Sequence, residues 1–178
     1  MSKDVSLAAD LRASIREVAD FPKPGIMFKD ITPVLLDPLL FARTIDALAA
    51  PFVGEGITHL LALESRGFLF GAPVAGRLGA ALVPVRKPGK LPFGRITESY
   101  DLEYGSDALE IHEDALTSDS RVLVVDDVLA TGGTAAAACR LVNRFGATVQ
   151  GVSVVMDLSF LPWRVALEGR RVTSLLSF

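Results

Sequence analysis

Five short apolar runs punctuate the chain, at residues 60–63, 81–85, 122–125, 149–156 and 172–176. Each is rich in Leu, Val or Ala and bounded by charged or turn-forming residues. Runs of this length, with β-branched content and turn chemistry at their ends, read as buried strands. Several are separated by stretches of helical composition, residues 135–145 among them. Strands alternating with helices predict an α/β fold, a mostly parallel sheet flanked by helices. Asp37 before Pro38 supplies an N-cap and first-turn pair, and Phe41, Ile45 and Leu48 follow at helical spacing. Leu7, Leu11, Ile15 and Val18 also recur at helical spacing, with Asp10, Arg12, Arg16 and Glu17 between them. That pattern predicts an amphipathic N-terminal helix reaching Val18, and it lacks the apolar core of a signal peptide.

The third run ends unlike the others. Val122-Leu123-Val124-Val125 leads into Asp126 and Asp127, then Val128-Leu129-Ala130-Thr131-Gly132-Gly133-Thr134 and a helical stretch. A turn at a helix N-terminus offers unpaired N–H groups and the positive end of the helix dipole, which suits an anion. Gly132 and Gly133 bring no Cβ between backbone and ligand, while Thr131 and Thr134 add hydroxyl donors. Asp126 and Asp127 would repel a phosphate but accept hydrogen bonds from a vicinal diol. A ribose 5-phosphate satisfies both halves. A dinucleotide or Walker site is not supported: no G-x-x-x-x-G-K-[ST] occurs, and Gly54-Glu55-Gly56-Ile57-Thr58-His59 lacks a third glycine and precedes a strand.

Composition narrows the picture further. The 178 residues, 50% of them hydrophobic, fit one domain with no room for a second catalytic module. Mean hydropathy is +0.40, yet charged residues interrupt every apolar run well short of a membrane span. One cysteine, Cys139, excludes an internal disulfide and fits a reducing, cytoplasmic setting. Two histidines, His59 and His112, are too few for a structural zinc site. A net charge of −3 argues against a general nucleic-acid surface, so anion binding must be local. Residues 86–112 carry Arg86, Lys87, Lys90 and Arg95 among Pro88, Gly89, Pro92 and Gly94, and read as a long basic loop. Such a loop facing a phosphate site would act as a lid.

The run from Asp126 to Thr134 resembles the 5-phosphoribosyl-1-pyrophosphate (PRPP) motif of type I phosphoribosyltransferases. Four further motifs stand in that family's order: Asp20-Phe21-Pro22-Lys23-Pro24-Gly25-Ile26-Met27-Phe28-Lys29-Asp30-Ile31, Glu64-Ser65-Arg66-Gly67-Phe68, Arg86-Lys87-Pro88-Gly89-Lys90-Leu91-Pro92 and Ser99-Tyr100-Asp101-Leu102-Glu103-Tyr104-Gly105. Together they resemble the adenine phosphoribosyltransferases over residues 7–178. Two departures stand out: Val128 where Leu is common, and Leu161-Pro162-Trp163 where a Gly-rich turn is common.

The resemblance implies a single-domain enzyme with a flexible lid or hood loop at about residues 86–112, converting adenine and PRPP to AMP and pyrophosphate. It implies Mg²⁺, carried on PRPP or pyrophosphate and water without a direct protein ligand, and a cytoplasmic homodimer serving purine salvage. Asp126, Asp127, Ala130, Thr131, Gly132, Gly133 and Thr134 would hold ribose and phosphate. Ser65, Arg66, Arg86, Lys87, Lys90 and Tyr104 would meet pyrophosphate, with Arg86 acting across the dimer interface. Phe28 would stack on adenine, whose edge meets the Met27 carbonyl and the Lys29 N–H. A 6-oxopurine inverts both hydrogen bonds, so hypoxanthine and guanine are rejected. Glu103 would be the general acid or base for the purine nitrogen. Two alternatives are an enzyme of the same class acting on another base and a PRPP-sensing regulator. The 20–31 motif opposes the first, and the lack of a DNA-binding domain or basic recognition helix opposes the second.

Overall fold

In the computed structural model, which describes residues 2–101 and 105–178, all five apolar runs are strands of one sheet. The chain divides into two units, Met1–Ala47 and Leu48–Phe178.

The first unit opens with α1 (Ser2–Ser14), which buries Leu7 and Leu11. The helix stops before Ile15, and Val18, expected on its face, lies instead in β1 (Arg16–Ala19). Antiparallel pairing explains the change: β2 (Met27–Asp30) supplies ladder partners, Val18 opposite Phe28 and Glu17 opposite Lys29. Pro22, Pro24 and Gly25 beyond β1 also bar a longer helix. The Asp20 carboxylate closes the turn by accepting from the Gly25 N–H at 2.8 Å. After α2 (Thr32–Leu36) comes α3 (Pro38–Ala49), capped as expected: Asp37 Oδ1 accepts from the N–H groups of Leu39 and Leu40, both at 3.0 Å.

The second unit contains the parallel sheet, β3 (His59–Leu63), β4 (Ala81–Val85), β7 (Arg121–Leu129), β8 (Thr148–Asp157) and β9 (Val172–Ser177), in the order β4-β3-β7-β8-β9. Every neighbouring pair is parallel, with His59 opposite Ala81 on one side and Val122 on the other. Strands covered on both faces need apolar residues on both, and Val122, Leu123, Val124 and Val125 are all fully buried. From β3 the chain passes through α4 (Gly67–Leu78) to β4, and from β7 through α5 (Gly133–Arg144) to β8. These crossovers run in opposite directions along the sheet, which opens a crevice at the carboxyl ends of β3 and β7.

Residues 86–112 are not the structureless loop their composition suggested. They contain the antiparallel hairpin of β5 (Arg95–Asp101) and β6 (Ser106–His112). Its apolar face is built from Tyr100, Leu109 and Ile111, which join the main core, with Ile96 packed against them. Charged residues fall on both faces, Glu98 opposite Leu109 and Asp107 opposite Tyr100, and so masked the two-residue period. The irregular stretch after β4 is tied to the hairpin by the reciprocal Arg86–Glu110 backbone pair. A short helix, α6 (Trp163–Ala166), precedes β9.

Candidate active site

Because the strands are parallel, the carboxyl ends of β3, β4 and β7 deliver three segments to one edge of the sheet: Glu64-Ser65-Arg66, the basic stretch from Arg86, and the turn after Leu129. They enclose a cavity of ≈ 370 Å³ lined by Glu64, Ser65, Arg66, Lys87, Asp126, Asp127, Ala130, Thr131, Gly132 and Thr134. Most of the residues expected to hold ribose, phosphate and pyrophosphate thus share one space. Gly133 opens α5 and faces a neighbouring cavity with Tyr100 and Arg140. Met27, Phe28 and Lys29 form β2 in the first unit. Glu103 and Tyr104 lie outside the described residues.

The turn has the expected shape. Gly132 adopts φ +84°, a left-handed conformation that L side chains rarely take, and leads directly into α5. Its carbonyl accepts from the Ala136 N–H at 2.8 Å, closing the first helical turn. Asp126 and Asp127 belong to β7 itself, which continues to Leu129. They take opposite environments. Asp127 is buried and accepts from Arg66 Nε at 2.6 Å. Asp126 Oδ1 accepts from the Asp127 N–H at 2.9 Å, and burial together with the adjacent Asp127 charge pushes its pKa well above the usual carboxylate range. The α4 helix can approach this pair because its first residue is glycine: a Cβ on Gly67 would stand 2.8 Å from Asp126 Oδ1.

Each cation predicted to meet pyrophosphate already has a carboxylate partner. Glu64, whose side chain is 9% exposed, gathers three donors: Arg86 Nε at 2.9 Å, the Lys87 N–H at 2.8 Å and the Lys90 ammonium. Burial works to raise its pKa, but the Lys90, Lys87 and Arg86 interactions outweigh it and bring the group from 4.5 to about 2. Arg86 makes this contact within its own chain, and its guanidinium also lies 5.7 Å from the centre of the Phe68 ring. The Lys87 ammonium bonds to Asp107 and, at 2.7 Å, to the Tyr100 hydroxyl. Burial opposes the charge on Lys87, yet the Asp107 and Tyr100 bonds raise its pKa, and the Lys87 bond lowers that of Asp107.

Tyr100 ties the hairpin to the turn that leads into α5. Its hydroxyl accepts from Lys87 and from Thr134 Oγ1 at 3.2 Å, and donates to Asp107 Oδ2 at 3.0 Å. Sequence reasoning assigned no role to Glu64, Tyr100 or Asp107. A signal for Glu64 existed: a carboxylate at a strand end, with three uncompensated cations further along the chain. In the first unit the Phe28 ring meets Phe21 edge-on, with centroids 4.9 Å apart. Met27 and Lys29 stand two apart in one strand, so their backbone groups project from the same strand edge.

A chemistry follows from this arrangement. Hard oxygen acceptors face a turn rich in N–H and hydroxyl donors, and cations held on a neighbouring segment can exchange their carboxylate partners for a polyanion. The phosphoribosyl transferase domain model matches residues 35–159. The chain is 58% identical over 175 residues to an adenine phosphoribosyltransferase of Myxococcus xanthus, covering 98% of this chain and 95% of that one. The crystal structure of adenine phosphoribosyltransferase from Rhodothermus marinus superposes with a TM-score of 0.94 at 47% identity, covering 98% of this chain and 99% of that one. The Saccharomyces cerevisiae enzyme complexed with D-2,5-dideoxy-2,5-imino-altritol 1,6-bisphosphate and adenine superposes with a TM-score of 0.91 at 41% identity, covering 97% and 99%.

Proposed function

The chain belongs to the phosphoribosyl transferase domain family and, within it, to the adenine phosphoribosyltransferases, and on that premise we propose how its residues make AMP from adenine and PRPP. The observation that carries the reading is the shared cavity of Arg66, Lys87, the Asp126–Asp127 pair and the Thr131–Thr134 turn. In the reaction adenine N9 bonds to the anomeric carbon, the carbon–oxygen bond to pyrophosphate breaks, and a proton leaves the purine. The ribose ring passes through an oxocarbenium-like state, so the site must support a ring cation and a departing polyanion together.

Residues 130–134 bind the 5-phosphate through backbone N–H groups and the Thr131 and Thr134 hydroxyls. Asp126 and Asp127 accept from the ribose hydroxyls, and their residual negative charge favours the ring cation. Ser65, Arg66, Arg86, Lys87 and Lys90 receive pyrophosphate, with Tyr104 closing over it. Phe28 stacks on adenine while the Met27 carbonyl and Lys29 N–H read its edge. Glu103 moves the purine proton. The 86–112 segment acts as the lid of this transfer.

Among the described residues no group of three or more His, Cys, Asp or Glu side chains could hold a metal ion. The reading assigns Mg²⁺ no direct protein ligand: the ion would arrive on its substrate, with phosphate oxygens and waters as its ligands. So bound, it would neutralise charge on the pyrophosphate that Arg66 and Lys87 receive. We place the enzyme in the cytoplasm as a homodimer; the buried lone Cys139 is compatible with a reducing compartment. No described helix is long and apolar enough to cross a membrane.

The test is stoichiometry. Incubating the protein with adenine, PRPP and Mg²⁺ should release AMP and pyrophosphate in equal amounts, and excess EDTA should stop it. Pyrophosphate release without AMP would reject the transfer.

A further inference from the structure

Trp163 is the chain's sole tryptophan. Its surroundings give it a task. Trp163 Nε1 donates to Asp157 Oδ1 at 3.2 Å, and Asp157, 2% exposed, takes its second bond from Ser177 Oγ at 2.5 Å. The indole is covered on one side by the Arg164 guanidinium, 4.3 Å from the ring centre. These contacts pin the first turn of α6 to the ends of β8 and β9. The same turn walls the phosphate loop: a Cβ on Gly132 would lie 3.1 Å from Trp163 Cα, 3.1 Å from its carbonyl oxygen and 3.0 Å from Ala166 Cβ. The loop is also fixed where it begins, because the Leu129 carbonyl accepts from the Leu158 N–H at 2.9 Å, next to Asp157. Residues 130–134 are therefore bracketed, by β8 at their start and by α6 at their middle.

We propose that Trp163, anchored by Asp157, is a positioning residue that presses α6 against Gly132 and so holds the 130–134 loop ready for the 5-phosphate. The inference rests on the phosphoribosyltransferase reading of that loop. A loop fixed before binding does not have to be ordered by the ligand, so the anchor acts on affinity for the phosphate end of the substrate and leaves the adenine end untouched.

The experiment uses three full-length proteins, wild type, Trp163→Phe and Asp157→Asn, titrated with ribose 5-phosphate by calorimetry and assayed for KM and kcat. Phenylalanine keeps the packing ring but removes the Nε1 donor, whereas asparagine keeps an acceptor for it. Trp163→Phe should weaken ribose 5-phosphate binding and raise the KM for PRPP by about tenfold, with the KM for adenine and kcat within about twofold. Asp157→Asn should stay within about twofold of wild type throughout. Equal ribose 5-phosphate affinity in wild type and Trp163→Phe overturns the inference, as does an equal loss for both substrates, which would mark a merely structural role. If wild type itself fails to bind ribose 5-phosphate, the reading of the loop falls and takes the inference with it.

Discussion

Replacing Glu64 by glutamine keeps the shape of the side chain and removes the charge that gathers Arg86, Lys87 and Lys90. The interval between the ordinary value of 4.5 and about 2 corresponds to roughly 3 kcal/mol favouring the ionised form in the folded protein. Solvent screening reduces this, because the Arg86 and Lys90 side chains are 31% and 47% exposed, so a loss of about 2 to 3 kcal/mol at pH 7 is the working figure. The sign follows from linkage. The folded-state pKa is depressed, so the stabilisation is complete above 4.5 and fades as pH falls toward 2. At pH 3 roughly 2 kcal/mol of it should be gone, since the unfolded carboxyl is by then protonated. Urea unfolding of wild type and Glu64→Gln at pH 7, 5, 4 and 3 isolates this group, because every other titration is common to both proteins. The stability gap should be constant from pH 7 to 5 and narrow below. A gap of the same size at pH 7 and pH 3 would show that Glu64 acts through shape alone. The variant should also raise the KM for PRPP, because the basic segment loses the tie that holds it over the site.

Three further perturbations probe the rest of the site. Gly132→Ala forces a side chain into φ +84° and against Trp163 and Ala166, which should cost about 1 to 2 kcal/mol in urea unfolding and weaken ribose 5-phosphate binding; unchanged affinity would mean that the loop yields freely. Tyr100→Phe removes the hydroxyl that Lys87, Asp107 and Thr134 share, and should lower kcat/KM for PRPP by about tenfold with little change for adenine, read from initial rates. Glu103→Ala should lower kcat by orders of magnitude at nearly constant PRPP affinity; an unaltered kcat would remove Glu103 from the mechanism.

Where the chain's chemistry is local, its fold was legible in advance. All five sheet strands were visible as apolar runs, because a strand covered on both faces must be apolar throughout, and the helix after Thr134 followed from its composition. The shape of the turn before α5 was legible for the same reason: glycines, hydroxyls and a helix start are contiguous in sequence. Long-range pairing hid the rest. Val18 fits a helical face and becomes a strand residue only because Phe28, ten positions later, pairs with it. The 95–112 hairpin was masked by charges on both of its faces, Glu98 and Asp107 among them on the face of Tyr100, Leu109 and Ile111. The role of Glu64 is hidden in its own motif, because its three partners lie more than twenty residues away. Contacts across such separations leave no local mark.

The central claim is that this site transfers a phosphoribosyl group to adenine and reads the base by its hydrogen-bonding edge. Initial rates with PRPP and Mg²⁺, offering adenine, hypoxanthine, guanine, xanthine, uracil and orotate separately, test it most directly. The account predicts rapid AMP formation from adenine and kcat/KM for hypoxanthine and guanine lower by about four orders of magnitude or more. Comparable turnover of a 6-oxopurine or a pyrimidine would leave the phosphate site standing and contradict the base assignment, and PRPP binding with no turnover of any base would contradict the enzyme itself.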